Sequence, residues 1–133
     1  MPDEVRVPVE CETDIVVARQ KGRELAAASG FGRTEQTLIA TAISEVARNI
    51  VVHAQRGEIV LCAIESKGRR GLKIVARDQG PGIADPELAM RDGYSTTNSL
   101  GVGLPGARRL MDEFELESKP GQGTTVTMRK WVR

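Results

Sequence analysis

The sequence predicts an α+β fold, a two-layer sandwich in which helices cover one face of a mostly antiparallel, mixed β-sheet. Two periodicities indicate this architecture. Residues 4–10 alternate valines with polar side chains, as a strand with one buried face does, while the apolar residues between 34 and 54 recur at helical spacing. The length of 133 residues suits one ordinary domain, so we expect residues 1–133 to form a single domain.

The elements are predicted in order along the chain. Pro8 indicates that the first strand lies at an edge of the sheet. A helix is expected from an N-cap at Thr13 to the glycines at 30 and 32, and a second helix from 34 to 54. The remaining predicted elements are strands over 58–66 and 71–78, a short helix over 86–90, a helix over 103–111, and strands over 114–118 and 124–132.

The composition is that of a globular protein without a strongly basic surface. Nineteen Lys and Arg against eighteen Asp and Glu leave a net charge of +1, and aromatic residues make up only 3 % of the chain. Nucleic-acid binders depend on excess positive charge and on stacking aromatics. No apolar run approaches the roughly 18 residues of a membrane span. We therefore expect a cytoplasmic protein that binds neither nucleic acid nor a membrane.

Glycine is unevenly distributed. Eight of the fourteen glycines lie between Gly80 and Gly123, so this part of the chain is expected to need special backbone conformations or close approaches. It contains a long stretch, 79–100, almost without periodicity, and such connections in small domains usually form functional loops or lids. The basic cluster Lys67-Gly68-Arg69-Arg70 is interpreted as a solvated hairpin tip, with a partner contact as the alternative.

Glu45 and Asn49 form the first candidate constellation. They are four residues apart on a predicted helix, so their side chains lie on one face about one turn apart. A carboxylate at the edge of an apolar stripe is costly without a purpose, although an exposed Glu beside an Asn is the alternative. The carboxylate is suited to act as a general base, and an Asn oxygen is a suitable ligand for Mg²⁺.

Three glycine-containing boxes are the other candidates. Asp78-Gln79-Gly80-Pro81-Gly82 follows a strand and offers a carboxylate at the sheet edge, or is an ordinary turn. Gly101-Val102-Gly103-Leu104-Pro105-Gly106 opens a helix, whose bare N–H groups suit phosphate. No strand precedes it as a dinucleotide fingerprint requires, so a nicotinamide site is not expected. Gly121-Gln122-Gly123-Thr124-Thr125 is a tight turn entering a strand.

The sequence lacks the motifs of several other enzyme classes. The chain has no Walker A motif, no protein-kinase HRD or DFG triplet, no GxSxG elbow and no HExxH. His53 is the only histidine, which leaves little basis for a Ser-His-Asp triad. Cys11 and Cys62 have no partner at metal-ligand spacing, and we interpret both as small buried hydrophobic residues.

The four constellations together, in this order, resemble the GHKL ATP-binding superfamily with its Bergerat fold. The stretches TDIVVARQKGRELA, TAISEVARNI, GLKIVARDQGPGI, GVGLPGARRLMDEFEL and RKWVR look closest to the stressosome type of serine/threonine kinase in that superfamily. The resemblance covers nearly the whole chain. It implies ATP and Mg²⁺ as cofactors. Because the chain carries no phosphoacceptor helix of the histidine-kinase type, it would phosphorylate a separate protein or none.

The resemblance also implies a role for each site residue. Glu45 would activate the attacking hydroxyl, Asn49 would hold Mg²⁺ against the triphosphate, and Asp78 would accept a hydrogen bond from the adenine amino group. Residues 83–100 would form a lid over the nucleotide. The other implied nucleotide contacts are Gly80 and Gly82 around the adenine, Gly101, Val102, Gly103 and Leu104 at the phosphates, and Thr124 lining the adenine pocket.

Two kinds of partner follow from the resemblance. Kinases of this type phosphorylate STAS-domain proteins of a stressosome, and after release they bind and activate a serine phosphatase. We expect the free protein to be a monomer. Two alternatives stay open: an anti-sigma factor of the same superfamily, and a non-catalytic regulator that uses nucleotide only to order its lid and hold a partner.

Overall fold

The computed structural model describes residues 4–80, 103–119 and 121–133. Its elements are β1 (Glu4–Val9), α1 (Glu12–Ala28), α2 (Arg33–His53), β2 (Gly57–Ser66), β3 (Arg69–Asp78), α3 (Gly103–Leu110), β4 (Glu113–Lys119) and β5 (Gly123–Trp131). Each matches a predicted element to within two residues at either end. The helix predicted over 86–90 lies outside the described residues.

The five strands form one sheet in the order β1-β2-β3-β5-β4. All four strand pairings in the described part of the chain are antiparallel, which confirms the prediction of a mostly antiparallel sheet. The described strands include no parallel pair, so this part of the sheet is not mixed. β1 is an edge strand, as Pro8 indicates, because a proline cannot donate to a second neighbour.

The helices pack on one face of the sheet, which confirms the α+β sandwich. Alternate strand residues such as Leu61, Ile74 and Met128 are fully buried in one core with the apolar face of α2. The other sheet face carries cross-strand ion pairs, among them Arg6 with Glu58 at 3.1 Å and Arg129 with Glu113 at 3.3 Å. Within the described ranges, no helix is both long and apolar enough to cross a membrane.

The start of α1 differs from its prediction. The N-cap is Cys11 rather than Thr13, and Cys11 makes no side-chain capping bond. Instead Asp14 Oδ2, in the first turn, accepts a hydrogen bond from Glu10 N at 2.8 Å. This bond ties the chain before the helix to its first turn, and a carboxylate in the first turn also complements the helix dipole, but no side chain caps α1.

Neither cysteine is a fully buried hydrophobic residue. Cys11 is exposed and Cys62 is half-buried, and both thiols are free. The prediction was wrong for Cys11 because that residue precedes a helix at the surface. Cys62 lies one residue after the buried Leu61, on the face of β2 that the helices do not cover.

Lys130 connects three elements from inside the fold. It is only 6 % exposed, and it follows Val126 and Met128 on the helix-covered face of β5. Its ammonium group donates to the carbonyl oxygen of Leu110, the last residue of α3, at 2.7 Å, and lies 3.3 Å from Glu35 Oε2 in the first turn of α2. A cation at a helix C-terminus is favourable, and the Glu35 carboxylate compensates the buried charge.

Gly123, at the start of β5, has a backbone that a side chain would disturb. Its φ is +91°, and a methyl group there would collide with the carbonyl oxygen of Asp78 on β3. We expect Gly123→Ala to lower the free energy of unfolding by about 1–3 kcal/mol, measured by urea denaturation. The control is Gly32→Ala, where the space is open and φ is −72°. Equal losses in the two variants would contradict this account.

Candidate functional site

Asp78, the last residue of β3, is the centre of the candidate site. Its side chain is buried, and Oδ1 accepts two backbone hydrogen bonds, from Gly80 N at 2.9 Å and from Thr124 N at 3.2 Å. No described residue donates to Oδ2, and no buried side-chain polar atom of the described residues lacks a partner. The carboxylate is therefore fixed through one oxygen and presents the other as an acceptor for a ligand.

Three glycines allow the backbone to close around Asp78. A methyl group at Gly57, the register partner of Asp78 on β2, would collide with the carbonyl oxygen of Arg77 and lie 3.1 Å from Asp78 Cβ. One at Gly80 would lie 2.8 Å from Ala54 Cα, and one at Gly123 would meet Asp78 itself. The absence of these side chains is what brings the strand ends and the end of α2 together.

Thr124 lines the same corner from β5. It is buried and is the register partner of Asp78. Its hydroxyl lies 2.8 Å from the hydroxyl of Ser118 on β4, which fixes the orientation of both groups. The structure thus brings together three of the predicted site residues, Asp78, Gly80 and Thr124, at one end of the sheet.

Glu45 occupies the middle of α2. It is only 8 % exposed although it is a carboxylate, and Oε1 lies 3.5 Å from an amino group of the Arg48 guanidinium. Burial raises the pKa of the Glu45 carboxyl above its ordinary value, and the charge of Arg48 opposes that rise. A carboxyl with a raised pKa is a stronger proton acceptor once ionised, as a general base requires.

Asn49 lies one turn after Glu45 on the same helix and is half-buried. Its side chain makes no hydrogen bond within the described ranges, so its amide oxygen is available to a ligand. The described residues contain no group of three or more His, Cys, Asp or Glu side chains that could hold a metal ion. This donor set fits a Mg²⁺ ion held largely by phosphate oxygens and water, with Asn49 as a protein ligand, and not a metal in a protein cage.

Gly103 and Leu104 open α3, as the sequence predicts. A methyl group at Gly103 would meet no described residue within 4 Å. The Leu104 side chain is buried in the core, which leaves only its backbone N–H for a ligand. Free N–H groups at a helix start favour anions.

Gly82, Gly101, Val102 and the proposed lid over 83–100 lie outside the described residues.

The C-terminal end of α2 reaches Asp78 through Ala54 and Ile50, which adjoin Gly80 and Gly57. Glu45 and Asn49 are thus on the helix that leads into the Asp78 corner.

Sequence reasoning missed three contributors to this site. Gly57 is an isolated glycine at the start of a strand, and its only signal is that β-strands disfavour glycine. Ser118 is an ordinary strand residue until its pairing with Thr124 is known. Arg48 could have been found, because a cation three residues after a Glu lies on the same helix face.

Comparisons with known proteins all match this chain to kinase-type ATPase domains and their relatives. Residues 7–130 match the model of the histidine kinase-like ATPase domain. The chain is 51% identical to the serine/threonine-protein kinase RsbT of Bacillus subtilis, over the full length of both proteins. It is 35% identical over 99 residues to the anti-sigma F factor of a Thermoanaerobacter species, covering 71% of this chain and 68% of that one.

Two solved structures share the fold. One contains the RsbU and RsbW domains of Rv1364c from Mycobacterium tuberculosis, with a TM-score of 0.63 and 22% identity over 98% of this chain and 32% of that chain. The other is the mycobacterial sensor histidine kinase MprB, with a TM-score of 0.58 and 14% identity over all of this chain and 99% of that chain.

The burial of Glu45 predicts how its removal affects stability. Its pKa is raised in the folded state, so as pH rises above 4.5 the unfolded chain loses this proton first and folding is disfavoured. Glu45→Gln removes that penalty. We expect it to be at least as stable as the wild type at pH 7, with an advantage that shrinks as pH falls towards 4.5 and is lost below it, measured by thermal unfolding. Glu24→Gln, an equal charge change on the exposed face of α1, is the control.

Proposed function

Since the chain belongs to the histidine kinase-like ATPase family, as a protein serine/threonine kinase of the GHKL type, we propose that it transfers phosphate from Mg·ATP to STAS-domain proteins of a stressosome. After release it binds and activates a serine phosphatase. The observation that carries the proposal is the Asp78 carboxylate, fixed by two backbone N–H groups with one oxygen left for a ligand.

Asp78 suits the recognition of adenine. Its Oδ2 is an acceptor without a donor among the described residues, and the exocyclic amino group of adenine is a donor. Thr124 and Gly80 border the carboxylate, and their backbone N–H groups hold Oδ1 in place. A hydrogen bond to an ionised carboxylate is about twice as strong as one between neutral groups, so Asp78 contributes to affinity as well as to base selectivity.

Glu45 is the proposed general base. Its carboxylate takes the proton of the substrate serine or threonine hydroxyl, the oxygen forms a bond to the γ-phosphorus, and the bond from that phosphorus to the β,γ-bridging oxygen breaks, so that ADP leaves. The charge of Arg48 limits the rise of the Glu45 pKa and thereby favours the ionised carboxylate that a general base needs. The protein otherwise contributes positioning and charge stabilisation, which dominate phosphoryl transfer.

The start of α3 and Asn49 are the proposed phosphate and metal contacts. The backbone N–H groups of Gly103 and Leu104, at the start of α3, are proposed to bind the phosphates, and the proposal includes Gly101 and Val102. Mg²⁺ bound with ATP neutralises phosphate charge, and Asn49 would hold it without adding a negative charge of its own. Gly82 belongs to the adenine pocket in this proposal.

We propose further that residues 1–133 act as one domain, monomeric when free, in the cytoplasm. A partner-switching role is supported by similarity to both a serine/threonine kinase and an anti-sigma factor. An anti-sigma factor is therefore the second candidate, and it differs in holding a sigma factor. A regulator that binds nucleotide without transferring phosphate is the third.

Phosphoryl transfer is the decisive test. The protein is mixed with radiolabelled ATP, Mg²⁺ and purified STAS-domain proteins, and label on serine or threonine is quantified. Glu45→Gln should lower the rate by about 10²–10⁴-fold, while ATP binding, measured by calorimetry, is retained. Full transfer by Glu45→Gln would exclude Glu45 as the base, and no label from the wild type on any STAS protein would favour the binding regulator.

Asp78→Asn tests adenine recognition separately. The amide oxygen can still accept from Gly80 and Thr124, but its NH₂ group then faces the adenine amino group, donor against donor. We expect ATP to bind about 10–100-fold more weakly, because one buried hydrogen bond is lost and one donor is left unpaired, with thermal unfolding close to that of the wild type. Unchanged ATP affinity would place adenine elsewhere.

A further inference from the structure

The hairpin tip opposite the candidate site has a rigid shape. Lys67 and Gly68 form a two-residue turn with φ of +54° and +78°, the conformation that matches the twist of paired strands. Arg69 and Arg70, which the sequence analysis placed in the turn, already belong to β3. The cationic side chains therefore project from fixed strand and turn positions.

Trp131 forms an aromatic platform beside this tip. It is the only tryptophan of the chain. Its ring lies on Gly71, where an added methyl group would be 2.5 Å from Cε3. The indole Nε1 donates to Glu113 Oε2 at 2.8 Å, and the backbone N–H donates to Asp112 Oδ2 at 2.8 Å. The ring is thus held on one face and along one edge before any partner arrives.

A cavity of about 310 Å³ lies between the hairpin tip and the indole ring. It is lined by Ser66, Lys67, Arg69 and Trp131. Within the described ranges, Lys67, Arg69 and Arg70 form no ion pair, and Glu65 lies opposite Arg70 in the hairpin without bonding to it. The neighbouring carboxylates are already occupied, since Asp112 binds Arg133 and Glu113 binds Arg129 and Trp131. Lys67 and Arg69 at the cavity are therefore cations without an ion-pair partner among the described residues.

We propose that this cavity binds an acidic segment of a partner protein. Two carboxylates of the segment pair with Lys67 and Arg69, and a neighbouring aliphatic side chain packs on the indole. Arg and Trp are the residues that most often dominate protein–protein interfaces, and a guanidinium binds a carboxylate through two parallel hydrogen bonds. One aromatic ring and a net charge of +1 suit a peptide better than a nucleic acid.

The cavity is independent of the candidate nucleotide site. β3 runs from Arg69 at the cavity to Asp78, and ten strand residues span about 30 Å. Both sites can therefore be occupied at once. The inference goes beyond the proposed kinase activity and does not require it, because a partner can be held here with no nucleotide present.

Tryptophan fluorescence tests the proposal without nucleotide. The probe is a capped peptide of sequence Glu-Leu-Glu-Glu-Leu-Glu, and its Gln-for-Glu version is the control peptide. We expect a saturable change in Trp131 emission with the acidic peptide alone, weakened several-fold between 0.05 and 0.3 M salt. No change at millimolar acidic peptide would overturn the proposal.

Charge reversal locates the binding site. Lys67→Glu/Arg69→Glu should weaken the peptide at least tenfold, whereas Arg19→Glu/Arg23→Glu, the same charge change on exposed positions of α1, should alter it less than threefold. Thermal unfolding verifies that both variants are folded. Equal loss in the two variants would show a general charge effect and overturn the proposal, as would tighter binding of inorganic phosphate or of a thymidine dodecanucleotide than of the peptide.

Discussion

The constraint on which the rest of the site depends is the anchoring of the Asp78 carboxylate. One oxygen accepts from the backbone on both sides, from Gly80 after its own strand and from Thr124 on β5. That double acceptance fixes the ends of β3 and β5 relative to each other, and it determines which oxygen faces outward. The three glycines around it are the condition for this geometry, since a methyl group at any of them would displace backbone or the carboxylate.

A second constraint connects the helices that carry the other candidate groups. Lys130 on β5 holds the last carbonyl of α3 and the Glu35 carboxylate of α2 with a single buried ammonium group. α2 bears Glu45 and Asn49, α3 begins at Gly103, and β5 carries Thr124. The elements proposed to hold the phosphates, the metal and the adenine are therefore joined through one side chain on the far side of the core, and the position of each depends on the others.

Much of this could be predicted from the sequence because the relevant signals are local. Alternation identifies the strands, the apolar stripe identifies α2, and Asp78 followed by Gly80 indicates a carboxylate at a strand end. Signals that depend on distant residues were missed. Gly57 matters only because β2 pairs with β3, and Ser118 only because it meets Thr124. The Thr13 cap failed for a different reason, since α1 begins at Glu12 and Thr13 already lies within its first turn.

The glycines around Asp78 also limit how the pocket could be re-engineered. Chemical-genetic methods enlarge a nucleotide pocket by trimming a bulky residue, so that only an analogue with an extra substituent fits. At Gly57, Gly80 and Gly123 there is no side chain left to trim. Among the described residues of the proposed adenine site, space for a modified base would have to come from Thr124 or from Ser118 behind it, and removing either hydroxyl breaks their 2.8 Å contact. An analogue-selective form of this protein would therefore need a compensating change on β4.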